Sequence, residues 1–366
     1  MNIRTPYYYP EFRCIADKCT DTCCAGWDVD VDKKSTEYYK SVPGVFGERI
    51  ASVMVEHEDG ESHFTLKSNG WCPFLNEHLL CDLYTELGED KLCDTCANFP
   101  RFIEEYGGTR EIGLAFSCIT AGELMLKDDT PVTFLNNDDG KQITGYNNID
   151  PDLYFYLQRY RKQSYDITRD RGRDICSRYA LVLSMASKLN EQIKKKDYRD
   201  ISVKGYSKKK SNRFELMKDY IGIFGKLEVI NHNWNTLIEQ VRALHKDMEE
   251  EKYYELCAEF EEYYLDRQYE YEHLLMYYLY RYFLKAVNDN DVLSKVKFAV
   301  TGFIMIREFD VARWYANGGT LTKDEQVDIY HLYSREVEHS YENYELLSNK
   351  MASDKLFSTD NLLSVI

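Results

Sequence analysis

Cysteine is distributed very unevenly along this chain of 366 residues: nine of its eleven cysteines precede residue 119. The nine follow the spacing C-x4-C-x3-C-C, C-x8-C and C-x2-C, with one more further on: Cys14, Cys19, Cys23, Cys24, Cys72, Cys81, Cys93, Cys96 and Cys118. Closely spaced cysteines form disulfides, bind soft metals or iron–sulfur clusters, or pack as small hydrophobic residues. Segregation this sharp favours a metal.

The cellular compartment decides against disulfides. The amino terminus has no apolar stretch of secretory length, and no window of about eighteen apolar residues follows it. We therefore expect a cytoplasmic protein with no membrane segment, whose thiols stay reduced. The formal net charge of −16 argues against nucleic acid as a ligand and favours a basic or neutral partner, such as a substrate that presents lysine.

Glycines, short alternating stretches and cysteines before residue 150, and helical patterns after it, predict a mainly α fold with a small α+β cysteine-rich module. We place a metal or iron–sulfur module at residues 1–135 and a helical, Tyr-rich domain at 150–366. No glycine-rich strand-to-helix turn of the G-x-G-x-x-G kind occurs, so the fold is expected to be non-Rossmann.

Local patterns predict several elements. Alternation at 62–66 indicates a short strand, and Asp150 before Pro151 indicates a helix start. The segment 136–140 is predicted to be a linker or turn. Seven lysines between 194 and 213 indicate a charged loop: Lys194, Lys195, Lys196, Lys204, Lys208, Lys209 and Lys210.

A capping box at Thr322 and Glu325 predicts a further helix start. Apolar and tyrosine positions then recur at intervals of three or four residues, which predicts one buried stripe. Its members are Val327, Tyr330, Ser334, Val337, Tyr341 and Tyr344.

The spacing of the cysteines allows one metal site or two. Cys93 and Cys96 can clamp one ion, and the C-x3-C pair that ends at Cys23 spans about one helical turn. Cys23 and Cys24 are adjacent, so their side chains tend to point apart, and one of them can serve a second ion or pack inward. On spacing alone, structural zinc is slightly ahead of an iron–sulfur cluster.

The cysteines occur with neighbours that together resemble the flagellin lysine-N-methylase family. The matching residues, over roughly the first 125 positions, are Phe12, Cys14, Cys19, Thr22, Cys23, Cys24, Gly26 and Trp27, then Cys72-Pro73-Phe74-Leu75, Leu80-Cys81, Gly88-Glu89, Leu92-Cys93, Thr95-Cys96, Phe99-Pro100-Arg101 and Ser117-Cys118. Weaker matches follow at 280–283 and 333–340. The cysteine part also resembles a broader group of small zinc- or iron-chelating domains.

The resemblance implies transfer of methyl groups from S-adenosylmethionine to lysine ε-amines of flagellin, with a [4Fe-4S] cluster held by cysteines. It moves the preferred metal from zinc to iron–sulfur, with zinc as the alternative. The C-x3-C-x2-C pattern of radical S-adenosylmethionine enzymes is missing, because no cysteine follows Cys23 at that spacing. One hypothesis is that an open iron positions the amino-acid end of the donor.

Methyl transfer to lysine requires a neutral amine, and the ordinary pKa of lysine is about 10.4. Glu336 and His339, about one turn apart, are the candidate catalytic residues, with Arg335 placed to hold a carboxylate. The alternative is that they form a hydrogen-bonded pair at a domain contact. Arg101 is the candidate cofactor-binding residue, since a cation near thiolates can tune a cluster or hold an anionic donor; its alternative is to brace a turn.

Two rival functions remain. Glu270 with His273, and Glu336 with His339, have the E-x-x-H spacing of di-iron carboxylate centres in helical bundles. The other rival is a non-enzymatic adaptor in which the cysteine module is structural zinc and the tyrosine-rich helices bind a partner.

Overall fold

The computed structural model describes residues 1–27, 29–140, 149–203, 205–207, 209–246 and 248–366. The described chain is mostly helical and has two small sheets, as the sequence predicts. The strands are β1 (Asn2–Pro6), β2 (Val29–Val31), β3 (Met54–Glu56), β4 (Ser62–Phe64), β5 (Arg101–Tyr106), β6 (Thr109–Leu114) and β7 (Phe134–Asp138).

The helices up to residue 125 are short: α1 (Lys33–Lys40), α2 (Gly44–Val53), α3 (Asp82–Leu87), α4 (Asp94–Asn98) and α5 (Ile119–Met125). Most of those that follow are longer: α6 (Pro151–Thr168), α7 (Ile175–Lys194), α8 (Arg213–Phe224), α9 (Asn233–Lys246), α10 (Glu250–Tyr263), α11 (Tyr269–Tyr282), α12 (Ala286–Asp289), α13 (Val292–Ala316), α14 (Lys323–Glu338), α15 (Tyr341–Ser353) and α16 (Thr359–Val365).

The two sheets belong to different cores. Strands β2, β4 and β3 form an antiparallel sheet whose apolar residues pack with those of α1 to α3 in a small core. The other sheet has the order β5-β6-β1-β7, and β1 runs parallel to β6. Its Tyr106 and Leu114 pack in the large core that the later helices build. The cysteine-rich region therefore contributes both to a core of its own and to the helical core.

The predicted linker at 136–140 is wrong for its first three residues. Asn136, Asn137 and Asp138 belong to β7, which pairs antiparallel with β1 at the edge of the sheet. An edge strand forms backbone hydrogen bonds with a neighbouring strand on one side only. Its side chains can therefore be polar and exposed, as they are in β7. The polar composition of this segment therefore led to the prediction of a turn where the structure has a strand.

The predicted helix starts at Asp150 and Thr322 are confirmed. The Asp150 carboxylate accepts hydrogen bonds from the amides of Asp152 and Leu153. Thr322 and Glu325 form the reciprocal capping box that opens α14. The strand expected at 62–66 is confirmed at Ser62–Phe64.

The predicted buried stripe holds along α14 and then stops. Val327, Tyr330, Ser334 and Val337 are buried, whereas Tyr341 is 75% exposed. The helix ends at Glu338, and a new helix begins after Ser340, whose hydroxyl accepts from the amide of Asn343. The extension of the stripe to Tyr341 is wrong, because a break between helices resets which face is buried.

The lysine-rich stretch is a connection between helices, as predicted. Helix α7 ends at Lys194 and α8 begins at Arg213, and no α-helix or strand is found among the described residues between them. Lys204 and Lys208 lie outside the described residues.

An ion pair joins the four-stranded sheet to the helices. Glu111 on β6 receives two hydrogen bonds from Arg161 on α6, at 2.7 and 2.5 Å, and the Arg161 and Glu111 side chains are 2% and 1% exposed. Arg4 on β1 also lies 3.3 Å from this carboxylate. Charges this deeply buried are tolerated only when they are paired.

Candidate functional site

The nine amino-terminal cysteines fall into two groups. Five of them lie in or against the small core: Cys24, Cys72, Cys81, Cys93 and Cys96. Their thiols also influence one another electrostatically, since the thiols of Cys24 and Cys72 act on that of Cys96. Local backbone pairing draws this group together, because the amide of Cys72 donates to the carbonyl of Cys24 at 2.8 Å.

The other four are Cys14, Cys19, Cys23 and Cys118. The pKa of Cys23 is raised first by its hydrogen bond with Cys24 and then by burial, and the nearby thiols of Cys118 and Cys14 add to the shift. Burial raises the pKa of Cys118 to about 11, with further contributions from Cys19 and Cys14. This second group therefore connects the loop that follows β1 with the start of α5.

Backbone amides at helix starts face three of the sulfurs. Cys81, Cys93 and Cys118 immediately precede α3, α4 and α5. Burial raises the pKa of Cys81 and Cys118, and amides of the first helical turn partly oppose that shift. The pKa of Cys93 is lowered, first by its hydrogen bond with Cys96 and then by amides of the first turn. Such amides favour the thiolate, which is the form that binds metal.

The described cysteines are all free thiols. Among the described residues, no three histidine, cysteine, aspartate or glutamate side chains come together as a single metal ion would require. Hydrogen-bonded thiol pairs do occur, Cys23 with Cys24 and Cys93 with Cys96. Four thiolates bound to one zinc at about 2.3 Å would all lie close together. In a [4Fe-4S] cluster each thiolate binds a different iron, so the four can stand further apart.

Asp21 lies between Cys19 and Cys23 and holds the loop that follows β1 against α14. One of its carboxylate oxygens lies 2.8 Å from His331 Nε2, and the other lies 2.8 Å from an Arg335 nitrogen. Arg335 also donates to the carbonyl of Ala25 at 2.7 Å and lies over the Trp27 ring, 4.4 Å from its centre.

Sequence reasoning placed Arg335 beside a carboxylate but missed that the carboxylate is Asp21. The two residues are 314 positions apart, and no local pattern connects them. The position of Asp21 between Cys19 and Cys23 was the available signal.

Replacing Asp21 with Asn should loosen this contact. His331 and Arg335 have side chains only 1% and 2% exposed, so the variant leaves the buried Arg335 guanidinium without its carboxylate and weakens the contact with His331. We expect the free energy of unfolding to fall by about 3 kcal/mol, the lower end for breaking a buried ion pair, because Asp21 is itself 25% exposed. Urea unfolding measures this, with exposed Asp17→Asn as the control; equal stabilities would contradict the assignment.

The Asp21 contact should also depend on pH. Burial alone would raise the pKa of Asp21, but its partners His331 and Arg335 outweigh burial and hold the pKa below its ordinary value. The stabilisation is therefore complete above the unfolded pKa of about 3.9 and is lost as the pH falls through the lower folded value. The difference in unfolding free energy between wild type and Asp21→Asn should therefore shrink as the pH falls from about 4 through the lower folded pKa of Asp21.

Glu336 is engaged by the backbone. Its two carboxylate oxygens accept hydrogen bonds from the amides of Ile230 and Asn231 at 2.8 and 2.7 Å. Burial raises the pKa of Glu336 to about 7, although these amides oppose the shift. The carboxylate thus fixes the connection between α8 and α9. Its partners are backbone amides, whereas the structural alternative considered from the sequence was a hydrogen-bonded pair with His339.

His339 lies between the two parts of the chain. Its Nε2 is 2.9 Å from the hydroxyl of Ser117, and its ring stacks on Trp27 with centres 5.7 Å apart. Burial lowers the pKa of His339 to about 3, so the imidazole stays neutral at physiological pH. It contacts the residue that precedes Cys118 in the chain but is a weak proton acceptor.

A Glu336→Gln variant should lower stability by about 1 kcal/mol, the lower end for an unsatisfied donor, because the amide group offers one acceptor oxygen to two partly buried backbone N–H groups. Thermal or urea unfolding measures the change, and exposed Glu342→Gln is the matched control. If Glu336→Gln keeps its full stability and loses only catalytic activity, the general-base role is favoured over the structural one.

Arg101 makes aromatic contacts. Its Nε donates to the hydroxyl of Tyr9 at 3.1 Å, and its guanidinium lies 5.2 Å from the centre of the Phe12 ring. The side chain is half-buried. It lies close to the loop that begins at Cys14, so the cofactor-binding role stays a prediction.

The two E-x-x-H pairs do not build a di-iron centre in the described part of the chain. Arg267 and Tyr264 bind Glu270, and the carbonyl of Met125 lies 2.8 Å from His273. Glu336 and His339 have the separate partners given above.

Comparison with known proteins decides the family. The family model for the FliB lysine N-methylase C-terminal domain matches residues 161–365. The chain belongs to this family. The match lies in the helices that follow residue 160, whereas the cysteine pattern that suggested the family lies before residue 125.

Curated relatives agree with this assignment. A flagellar biosynthetic protein FliU of Salmonella muenchen is 27% identical over 133 residues, which is 35% of this chain and 79% of that protein. Lysine-N-methylases of Salmonella typhimurium and Salmonella choleraesuis are each 27% identical over 136 residues, which is 35% of this chain and 33% of theirs. The aligned region thus spans about a third of those methylases. No solved structure matches the chain.

No helix in the described ranges is both long and apolar enough to cross a membrane.

Proposed function

We propose that this protein is a protein-lysine N-methyltransferase that transfers methyl groups from S-adenosylmethionine to lysines of flagellin. The observation that carries the proposal is the family match over residues 161–365. The names of the relatives, lysine-N-methylase and flagellar biosynthetic protein, support both the reaction and a flagellar substrate.

The reaction requires a lysine amine that has lost its proton. The amine nitrogen then forms a bond to the donor's methyl carbon while the carbon–sulfur bond breaks, leaving S-adenosylhomocysteine, and the methylated amine releases a second proton. An acidic protein favours the approach of a basic segment of the substrate. Glu336 and His339 stay the predicted catalytic residues, although their contacts also explain them as structural.

The cofactor we propose is a [4Fe-4S] cluster bound by Cys14, Cys19, Cys23 and Cys118. The donor chemistry fits, because these are free thiols and soft ligands suit iron–sulfur clusters. From Phe12 to Trp27 the chain has no α-helix or strand and few buried residues, so a bound metal would organise a segment that lacks a core. When bound, the cluster supplies an electron-transfer or Lewis-acid centre.

The five cysteines of the small core remain available for packing or for a second ion. Cys72 and Cys93 lie among apolar side chains that already stabilise their segment. Arg101 would then lie near the proposed cluster and tune its charge, as predicted from the sequence.

Transfer of labelled methyl groups tests the proposal. Protein purified without oxygen is incubated with labelled S-adenosylmethionine and either flagellin or flagellin whose lysines have been acetylated. We expect label on the first substrate and none on the second. Label on neither, with a folded and iron-loaded enzyme, would reject the function.

A further inference from the structure

A cavity of about 400 Å³ lies among helices of the carboxy-terminal half. Its walls are formed by the start of α7, the end of α10 and parts of α11, α13 and α16. Residues of the lysine-rich connection between α7 and α8 also line it. None of the nine amino-terminal cysteines is among its lining residues. Its volume lies within the range of about 300–1,000 Å³ that is typical of small-molecule sites.

The charged residues of the cavity are balanced. Asp174 and Glu261 are acidic, and Lys209 and Arg307 are basic. Arg307 is only 6% exposed, and one of its nitrogens makes an ion pair with Glu261. Another nitrogen of Arg307 lies 3.3 Å from the sulfur of Cys176, a weak acceptor, and 3.4 Å from the main-chain oxygen of Ile366, at the long end for a hydrogen bond. A stronger anionic acceptor could therefore replace that contact.

The first turn of α7 adds partial positive charge. Asp174 caps this helix and accepts from the amide of Ser177. The amides of Ile175 and Cys176 precede the first hydrogen bond within the helix and have no acceptor inside it. These amides and Arg307 lie on the same cavity, so a carboxylate there would be favoured by both.

Aromatic rings form another part of the wall. Phe260 and Tyr264 stack with ring centres 5.1 Å apart. The hydroxyl of Tyr271 donates to Asp310 at 2.5 Å, and that of Tyr264 donates to Glu270. These hydrogen bonds fix the rings, and because each ring is at most 2% exposed they form a rigid, closely packed wall.

We propose that this cavity binds the methyl donor, S-adenosylmethionine; the assignment rests on the proposed function. Arg307 and the first turn of α7 bind its carboxylate, and Glu261 binds its α-ammonium group. Phe260, Tyr264 and Tyr271 form the rigid wall against which the donor lies. The amino-acid end of the donor is a zwitterion and matches an acidic and a basic side chain together, whereas the lysine of a protein substrate, a cation alone, does not.

This site differs from the iron-anchored donor considered from the sequence. Because no amino-terminal cysteine lines the cavity, a donor bound here does not contact the proposed cluster. The cluster would then organise the amino-terminal loop, and the donor would be held by α7, α10, α11, α13, α16 and the lysine-rich connection, within the region that the family model matches. Glu336 and His339 are not among the lining residues, so with the donor bound here they keep the structural roles that their contacts describe.

Calorimetric titration with S-adenosylhomocysteine tests the site in the full-length, iron-loaded protein. Arg307→Met should bind about tenfold more weakly or worse, because a hydrogen bond to a charged group contributes about 1.5–3 kcal/mol. Glu261→Gln should bind several-fold more weakly, and its exposed neighbour Glu262→Gln should bind like wild type. Leu363→Trp, which fills the cavity from its rim, replaces Arg307→Met if the latter does not fold.

The outcomes separate the two proposals. Full affinity in folded Arg307→Met and Glu261→Gln proteins, or no binding by wild type, overturns the cavity assignment. If methyl transfer to flagellin proceeds unchanged in Arg307→Met, the cavity assignment falls and the function stands. If the ligand binds and the variants weaken it while no methyl group reaches flagellin, the function falls and the cavity stands.

Discussion

An Arg161→Met variant should lose about 3–5 kcal/mol of unfolding free energy, because it leaves the Glu111 carboxylate buried without its main partner. Both side chains of this pair are at most 2% exposed, and two hydrogen bonds join them. Arg4 contacts the same carboxylate from 3.3 Å but is itself 27% exposed and offers only partial compensation. The loss should appear in urea unfolding as a lower midpoint.

A control on the same helix separates this effect from the general loss of an arginine. Arg159 is 47% exposed and pairs with Asp200, which is 77% exposed. Arg159→Met should therefore change stability by no more than about 1 kcal/mol. Adding Glu111→Gln to Arg161→Met should recover part of the loss, because it removes the unpaired charge. Equal stabilities of the two single variants would show that the buried pair does not hold the sheet to α6.

A Cys118→Ser variant should lose the visible absorbance and most of the iron of protein purified without oxygen. In the proposed site, Cys118 is the single thiol that comes from outside the loop of residues 14–23, so its removal opens the cluster. Cys257→Ser is the matched control, since Cys257 is buried in the helical core far along the chain from the other thiols. It should keep the absorbance and the iron.

A Cys81→Ser variant shows which of the two cysteine groups binds the cluster. Cys81 lies against the small core, and its replacement should leave the iron content unchanged if the cluster is held by the other group. Loss of iron in Cys81→Ser but not in Cys118→Ser would move the cluster to the core group. Zinc with no visible absorbance in wild type would reject the cluster and favour a structural module.

Local sequence patterns predicted the local structure well. Asp150 and Thr322 were identified as helix caps because capping depends on residues two or three positions apart. The strand at Asn136–Asp138 was missed because edge pairing with β1 depends on residues more than 130 positions away. Exposed polar side chains gave no sign of it.

The candidate site was predictable only in part. The cysteines indicated a metal and a family, but their division into two groups depends on how α5 and the small core bring distant segments together. The contact of Asp21 with His331 and Arg335 joins the two ends of the chain, and the cavity beside Arg307 is built from five helices. Neither has a local signature, so only the three-dimensional structure could reveal them.

The most direct test of the central claim is mass spectrometry of flagellin after incubation with the anaerobically purified protein and S-adenosylmethionine. Our account predicts that individual lysines gain the mass of one or more methyl groups, and that they gain nothing when the donor is left out. Unmodified lysines in the presence of donor and of folded, iron-loaded protein would contradict it.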